Sequence, residues 1–159
     1  GQDDVAITRL KDLPPDRSDT LAMIYASKDR YSDAIDVIEK MPASFYPPGT
    51  REQAVRLLRM APAKAASPQD LPPLGVLGWV YLYVGAQERV LEGYERAVEV
   101  GYLAGAGNPD SLWHPAYAPV RKTERFKSYA RRAGLVEYWR AKGWPNACHP
   151  TTGDDFECN

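Results

Sequence analysis

Two stretches of the chain repeat the same spacing of apolar residues. The first consists of Leu21, Ala22, Tyr25, Ala34, Ile38 and Met41, and the second of Leu77, Gly78, Tyr81, Val90, Tyr94 and Ala97. Offsets of three and four residues place side chains on one face of an α-helix, so each stretch predicts a pair of amphipathic helices. The small second residue of each set allows close helix packing, and the large residues fill the remaining space. The spacing therefore predicts an all-α protein built from antiparallel helical hairpins.

Breaks in the pattern divide the chain into short helices. Paired prolines in ASFYPPG and PAKAASPQDLPP cannot continue a helix, and glycines end several of the others. The predicted helices cover residues 18–28, 32–41, 51–61, 74–84, 88–100, 123–133 and 135–142.

Both stretches resemble the tetratricopeptide repeat, which has Leu-Gly and an aromatic residue on its first helix and Ala and an aromatic residue on its second. The resemblance implies one domain over residues 1–159, an α-solenoid of degenerate repeats. Only 20 residues separate Ala34 from Ala54, which leaves no room for a full hairpin in the middle unit. The implied units cover 18–47, 50–66 (truncated) and 72–104, followed by a C-terminal cap and extended tail over 111–159.

The last third of the chain, from LWHPAYAPVRKTERF onward, is similar to the tail that closes repeat arrays in bacterial sensory proteins. Such proteins often carry an N-terminal cyclase or winged-helix domain and a transmembrane helix before the array. The resemblance implies a regulatory module on the periplasmic side of a membrane-anchored protein, with a cytoplasmic location as the alternative. Since the chain begins at Gly1 without a leader, we expect it to be part of something longer, and any membrane contact to come from outside it.

The most apolar run, LPPLGVLGWVYLYVG, carries two aromatic residues that the repeat packing does not explain. It is shorter than the roughly 18–20 residues that span a bilayer. Trp79 and Tyr83 lie four residues apart, so an α-helix would place them on one face. The alternative is that they are buried under residues 102–120 or the C-terminal helices. The predicted groove for a peptide or protein partner consists of Met23, Ser27, Trp79, Leu82 and Tyr83.

A second candidate surface is a cluster of basic residues on one predicted helix and its approach. It could attract an acidic partner or anionic lipid head groups, or it could be a solvated helix face. The net charge of −1 argues against a dedicated nucleic-acid binder. The cluster consists of Arg121, Lys122, Arg125, Lys127, Arg131 and Arg132.

Cys148 and Cys158 would close an 11-residue loop if they are bonded. The chain-entropy model gives such a disulfide about 2.5–3 kcal/mol, and the bond requires an oxidising compartment. Free thiols, or a zinc site with His149 and either His114 or Asp154, are the alternatives. The spacing lacks the paired ligands of structural zinc sites, so we predict no metal.

No motif predicts catalysis or a cofactor. Cys148 and His149 are adjacent in sequence, which makes a nucleophile–base contact awkward, and GYLAGAG lacks the Lys-Ser/Thr of a phosphate-binding loop. The sequence therefore predicts a non-enzymatic interaction or sensor domain with a protein or peptide partner. The alternative is an oligomerisation scaffold whose groove holds its own chain or a second copy.

Overall fold

The computed structural model describes residues 2–10, 19–101 and 109–159. Over these residues the chain is mostly helical, with one small antiparallel sheet, so the predicted all-α character is confirmed. None of the described helices is long and apolar enough to cross a membrane. Ser18 and residues 102–108, which belong to predicted segments, lie outside the described residues.

The chain forms two compact units, Gly1–Ala86 and Gln87–Asn159. The boundary between the units falls inside the repeat predicted over 72–104. The two predicted helices of that repeat pack within different units. The segment Gly75–Tyr83 packs against helices of the first unit, and Leu91–Glu99 packs against a helix of the second.

The first unit is built on a helical hairpin. Its described α-helices are α1 (Gln2–Leu10), α2 (Asp19–Ala26), α3 (Tyr31–Lys40) and α4 (Thr50–Leu58). α2 packs against α3, α3 packs against α4, and α1 packs against α2. The predicted packing positions of this hairpin are all buried, as their spacing requires; they are Leu21, Ala22, Tyr25, Ala34, Ile38 and Met41.

A tight turn joins α2 to α3. Asp29 adopts a left-handed backbone conformation with φ of 57°, and the Arg30 amide donates back to the Tyr25 carbonyl. Asp and Asn reach this region more readily than most residues. The turn places the start of α3 at Tyr31, two residues after Asp29.

The segment Gly75–Tyr83, which we call the aromatic segment, is a 3₁₀ helix and not the predicted α-helix. Many of its residues are β-branched or aromatic and are weak α-helix formers. Gly75, with φ of 52°, has a left-handed backbone at its start, and Gly85, with φ of 73°, lies in the same region beyond its end. Runs of 3₁₀ helix longer than three or four residues are uncommon, and this one has nine.

The second unit combines short helices with a terminal β-hairpin. Its described α-helices and strands are α5 (Leu91–Glu99), α6 (Ala118–Arg121), α7 (Glu124–Arg132), α8 (Leu135–Lys142), β1 (Cys148–Pro150) and β2 (Phe156–Cys158). α7 packs against both α5 and α8. The hydroxyl of Thr123 accepts from the Phe126 amide and caps the start of α7.

The predicted extended tail is this β-hairpin, which we call the C-terminal hairpin. Its strands pair antiparallel, with Cys148 opposite Cys158 and Pro150 opposite Phe156. The buried Phe156 ring contacts Trp139 of α8 and Trp144, with ring centroids 5.7 and 5.6 Å away. An aromatic cluster therefore anchors the tail inside the second unit.

Candidate functional site

The predicted groove residues lie in the first unit, but two of them do not form an open surface. Trp79 is 5% exposed and Met23 is 8% exposed, so both are core residues. Leu82 and Tyr83 are half-buried, and only Ser27 is exposed, with its hydroxyl donating to the Ile24 carbonyl at 2.8 Å. The Trp and Met members of the predicted groove are buried because α2 and α4 pack against the aromatic segment.

The 3₁₀ geometry also changes how the two aromatic residues are related. With three residues per turn, positions four apart are rotated by about 120°, whereas an α-helix would separate them by about 40°. The Trp79 and Tyr83 rings nevertheless meet edge to face, with centroids 6.1 Å apart and an interplanar angle of 79°. Tyr31, the first residue of α3, contacts Tyr83 in a similar way at 5.8 Å. These three rings form an aromatic trio within the first unit.

Two buried polar atoms of this trio have no hydrogen-bond partner among the described residues. They are the indole nitrogen Nε1 of Trp79 and the hydroxyl oxygen of Tyr83. More than nine-tenths of buried polar groups in folded proteins are hydrogen-bonded, and leaving one unpaired costs about 1–3 kcal/mol. The two residues that the repeat packing does not explain thus each bury a polar atom that lacks a partner in the part of the chain that the structure describes.

The neighbouring Tyr81 has the opposite environment. Its buried hydroxyl donates to the Pro72 carbonyl and accepts from the Leu74 amide at 3.1 Å. The Tyr81 hydroxyl therefore has a structural role: it fixes the backbone just before the aromatic segment.

The electrostatic surroundings of the trio keep the phenols protonated. Tyr31 donates to an Asp29 carboxylate oxygen at 2.8 Å, and burial together with this partner raises the pKa of Tyr31 to about 12. Burial first, and then the proximity of Tyr31 and Asp29, holds the pKa of Tyr83 well above its usual range. Tyr83 is therefore available as a hydrogen-bond donor at any physiological pH.

Four residues of the predicted basic cluster form ion pairs within the second unit. Glu95 of α5 receives a two-point contact from Arg125, at 3.0 and 2.6 Å, and a longer one from Arg132 at 3.4 Å. Asp155 pairs with Lys127 at 2.9 Å and with Arg131 at 2.7 Å. Glu95 and Asp155, the carboxylates in these contacts, come from elements far away in sequence, so periodicity alone could not place them beside the cluster.

Arg121, the first member of the predicted cluster, is a buried structural residue. It is 5% exposed, and its guanidinium donates to three backbone carbonyls, those of Leu112 at 2.6 Å, His114 at 3.1 Å and Asn159 at 2.8 Å. Burial lowers its pKa below the usual arginine value. Lys122, by contrast, is exposed. We call Arg121 and its three carbonyls the Arg121 network.

Cys148 and Cys158 form a disulfide in the C-terminal hairpin. They lie opposite each other on the two strands. The adjacent residues, Ala147 and Asn159, are hydrogen-bonded, with the Asn159 amide donating to the Ala147 carbonyl. The cysteine pair is therefore at a non-hydrogen-bonded position of the ladder, where opposing residues approach most closely. Neither sulfur is a free thiol, and the part of the chain that the structure describes contains no cluster of three or more metal-ligating side chains.

The sequence matches no protein-family model, no curated protein and no solved structure. The tetratricopeptide resemblance therefore stays a prediction, and the candidate site depends on the geometry of the chain itself. Sequence reasoning missed Tyr31 and Asp29 as members of the site. The signal that could have found them is local, since a Tyr two residues after an Asp at a predicted turn places both at the start of the next helix.

Proposed function

We propose that the chain is a non-catalytic interaction module that binds a peptide or protein segment at the aromatic trio of Tyr31, Trp79 and Tyr83. The observation that carries this proposal is the pair of unpartnered buried atoms, Trp79 Nε1 and the Tyr83 hydroxyl. Both atoms are buried, so a bound segment would reach them only where the side chains that cover them move aside, and hydrogen bonds to both would then satisfy them. Tyr and Trp are also the residue types most enriched at the energetic centres of protein interfaces.

The cost of leaving these two atoms unpaired is large relative to the stability of a folded domain. A folded domain is stable by only about 5–15 kcal/mol, and two unpaired buried groups at about 1–3 kcal/mol each are a substantial fraction of that. Natural sequences usually retain such defects where function requires them. Replacing Tyr83 by Phe would remove one of them without changing the ring.

We also propose a repeat architecture for the first unit and a cellular location for the chain. The α2–α3 hairpin is a tetratricopeptide-like repeat whose neighbouring aromatic segment supplies the binding residues. The chain acts as a regulatory module of a bacterial signalling protein on the periplasmic side of a membrane. The Cys148–Cys158 disulfide supports this compartment, because disulfides persist in oxidising environments and are rare in the cytosol.

The test is a selection of linear peptides from a random displayed library against the full chain, followed by calorimetric measurement of Kd. Because Trp79 is 5% exposed, truncation to Ala would cost about 3–5 kcal/mol of stability and confuse unfolding with lost binding. Trp79→Phe and Tyr83→Phe keep an aromatic ring at each position. We expect both to weaken selected peptides at least about fivefold.

The matched control is Tyr138→Phe, since Tyr138 of α8 is 61% exposed and lies in the second unit. It should bind selected peptides as the wild type does. Equal affinity of all four proteins, or failure to select any peptide, would refute the proposed site. Light scattering over a concentration series should show a monomer. A dimer that Tyr83→Phe dissociates would identify the occupant of the site as a second copy of the chain.

A further inference from the structure

We infer that α1 acts as an internal ligand of the α2–α3 hairpin, and that an amphipathic helix from a partner protein displaces it and binds the same surface of α2. This surface is distinct from the aromatic trio, so the inference goes beyond the proposed function and does not depend on it. Three features of the first unit support it: the composition of α2, the way in which α1 is held, and the length of α1.

α2 is apolar on all of its sides. The six residues from Leu21 to Ala26 are all buried, and their side chains are apolar except for the Tyr25 hydroxyl. Successive residues of an α-helix are rotated by about 100°, so six of them point in every direction around the axis. α3, the aromatic segment and α1 all pack against α2. The part of this stretch that α1 covers is therefore apolar, whichever of its side chains lie there.

α1 presents an amphipathic surface of its own. Among its residues whose side chains the structure describes, Ile7 is 6% exposed and Leu10, three positions further on, is half-buried. Val5, Thr8 and Arg9 are exposed. Apolar residues spaced by three or four positions are the anchors with which a helix binds a hydrophobic groove. α1 therefore shows, within the chain itself, the kind of ligand that the surface of α2 accepts.

The length of α1 makes it replaceable. It has nine residues, whereas isolated helices shorter than about 12–15 residues are marginal in water, so α1 depends on its contact with α2 to be helical. α3, by contrast, packs against both α2 and α4. Elements with few buried apolar contacts open at the lowest cost. A longer amphipathic helix with a third or fourth apolar anchor would bury more apolar area on α2 and displace α1.

The test supplies α1 to the full chain as a separate peptide. The probe is a fluorescent peptide of residues 1–10 with a hydrocarbon staple between positions 5 and 9, which are both exposed and lie on one face. Fluorescence polarisation measures its Kd. We expect the Ile7→Asp chain to bind this probe at least about tenfold more tightly than the wild type does. The reason is that the tethered wild-type α1 competes with the probe at a high effective concentration.

The matched control is Val5→Asp, because Val5 lies on the same helix and is 54% exposed. This chain should bind the probe as weakly as the wild type does. A probe that itself carries Ile7→Asp should bind none of the three chains. The unstapled peptide should bind more weakly than the stapled one, since the staple forms the helix in advance. A photoreactive leucine analogue at position 10 should cross-link the probe to residues 21–26.

Hydrogen exchange of the wild-type chain keeps the inference testable if Ile7→Asp fails to fold. The amides of α1 should exchange at least about tenfold faster than those of α2 and α3, because α1 opens while the hairpin stays folded. Exchange of α1 and α2 at one rate would overturn the inference.

Four results with the probe would also overturn the inference. These are equal affinity for the Ile7→Asp and Val5→Asp chains, binding of the Ile7→Asp probe, equal or tighter binding of the unstapled peptide, and cross-links outside α2. Light scattering gives a further check. A wild-type dimer that Ile7→Asp dissociates would assign the surface to α1 of a second copy, and the partner helix would then be excluded.

Discussion

The aromatic segment of the first unit and the C-terminal hairpin of the second unit differ in how their polar side chains are paired. Around the hairpin, Asp155 holds two cations, and the Arg121 network satisfies three carbonyls, including that of Asn159. In the aromatic segment, Trp79 and Tyr83 each bury a polar atom without a partner among the described residues. Paired groups stabilise a fold, whereas unpaired buried groups cost stability.

The largest expected effect on stability comes from removing a paired group, the guanidinium of Arg121. Arg121→Met leaves three backbone carbonyls without their donor, two of them in contacts shorter than 3 Å. We expect it to lower the free energy of unfolding by about 2–4 kcal/mol, measured by urea titration with tryptophan fluorescence. The matched control is Lys122→Met, because the neighbouring Lys122 is exposed. Equal denaturation midpoints for the two variants would mean that the Arg121 network does not stabilise the second unit.

A smaller effect on stability, of opposite sign for Tyr81→Phe and Tyr83→Phe, tests whether the aromatic segment contains an unpaired hydroxyl. Tyr81→Phe removes a hydroxyl that is bonded to Pro72 and Leu74, and it should lower the unfolding free energy by about 1–2 kcal/mol. Tyr83→Phe removes a hydroxyl for which residues 2–10, 19–101 and 109–159 supply no partner, so it should leave stability unchanged or raise it by up to about 1 kcal/mol.

Both substitutions delete one oxygen from the same segment, so each is the control for the other. The measurement is the thermal midpoint of each variant by circular dichroism. Equal losses of stability would show that the Tyr83 hydroxyl has a partner in solution, and the contrast between the two regions would then disappear.

The smallest expected effect is a pH dependence of the second unit. Hydrogen bonds from Lys127, from the Phe156 amide and from Arg131 hold the pKa of Asp155 below its ordinary value of 3.8. The Asp155 carboxylate binds a proton more weakly in the folded state than in the unfolded chain. Its contribution to the stability of the fold is therefore complete above pH 3.8. It is lost as the pH falls through the folded-state pKa.

The measurement is the unfolding free energy of the wild type and of Asp155→Asn between pH 2 and pH 6. The two curves should converge as the pH falls. Parallel curves would contradict the assignment of Asp155 as a paired carboxylate.

Local spacing predicted the parts of the fold that depend on local rules. The α2–α3 hairpin, its buried positions and the helices α7 and α8 follow from three- and four-residue offsets and from glycine and proline breaks. The same rules failed for Gly75–Tyr83, which is a 3₁₀ helix. There the β-branched and aromatic residues are weak α-helix formers, and the segment packs against α2 and α4.

The sequence by itself determined that the chain is helical, that Tyr81 is a packing residue, and that Trp79 and Tyr83 need another explanation. Only the tertiary structure decided which hydroxyl is paired and which basic side chains form ion pairs. The reason is that Glu95 lies 30 residues from Arg125, and Asp155 lies 28 residues from Lys127. Helical periodicity describes neighbours within a few residues, whereas hydrogen-bond satisfaction depends on contacts that form only when distant segments meet.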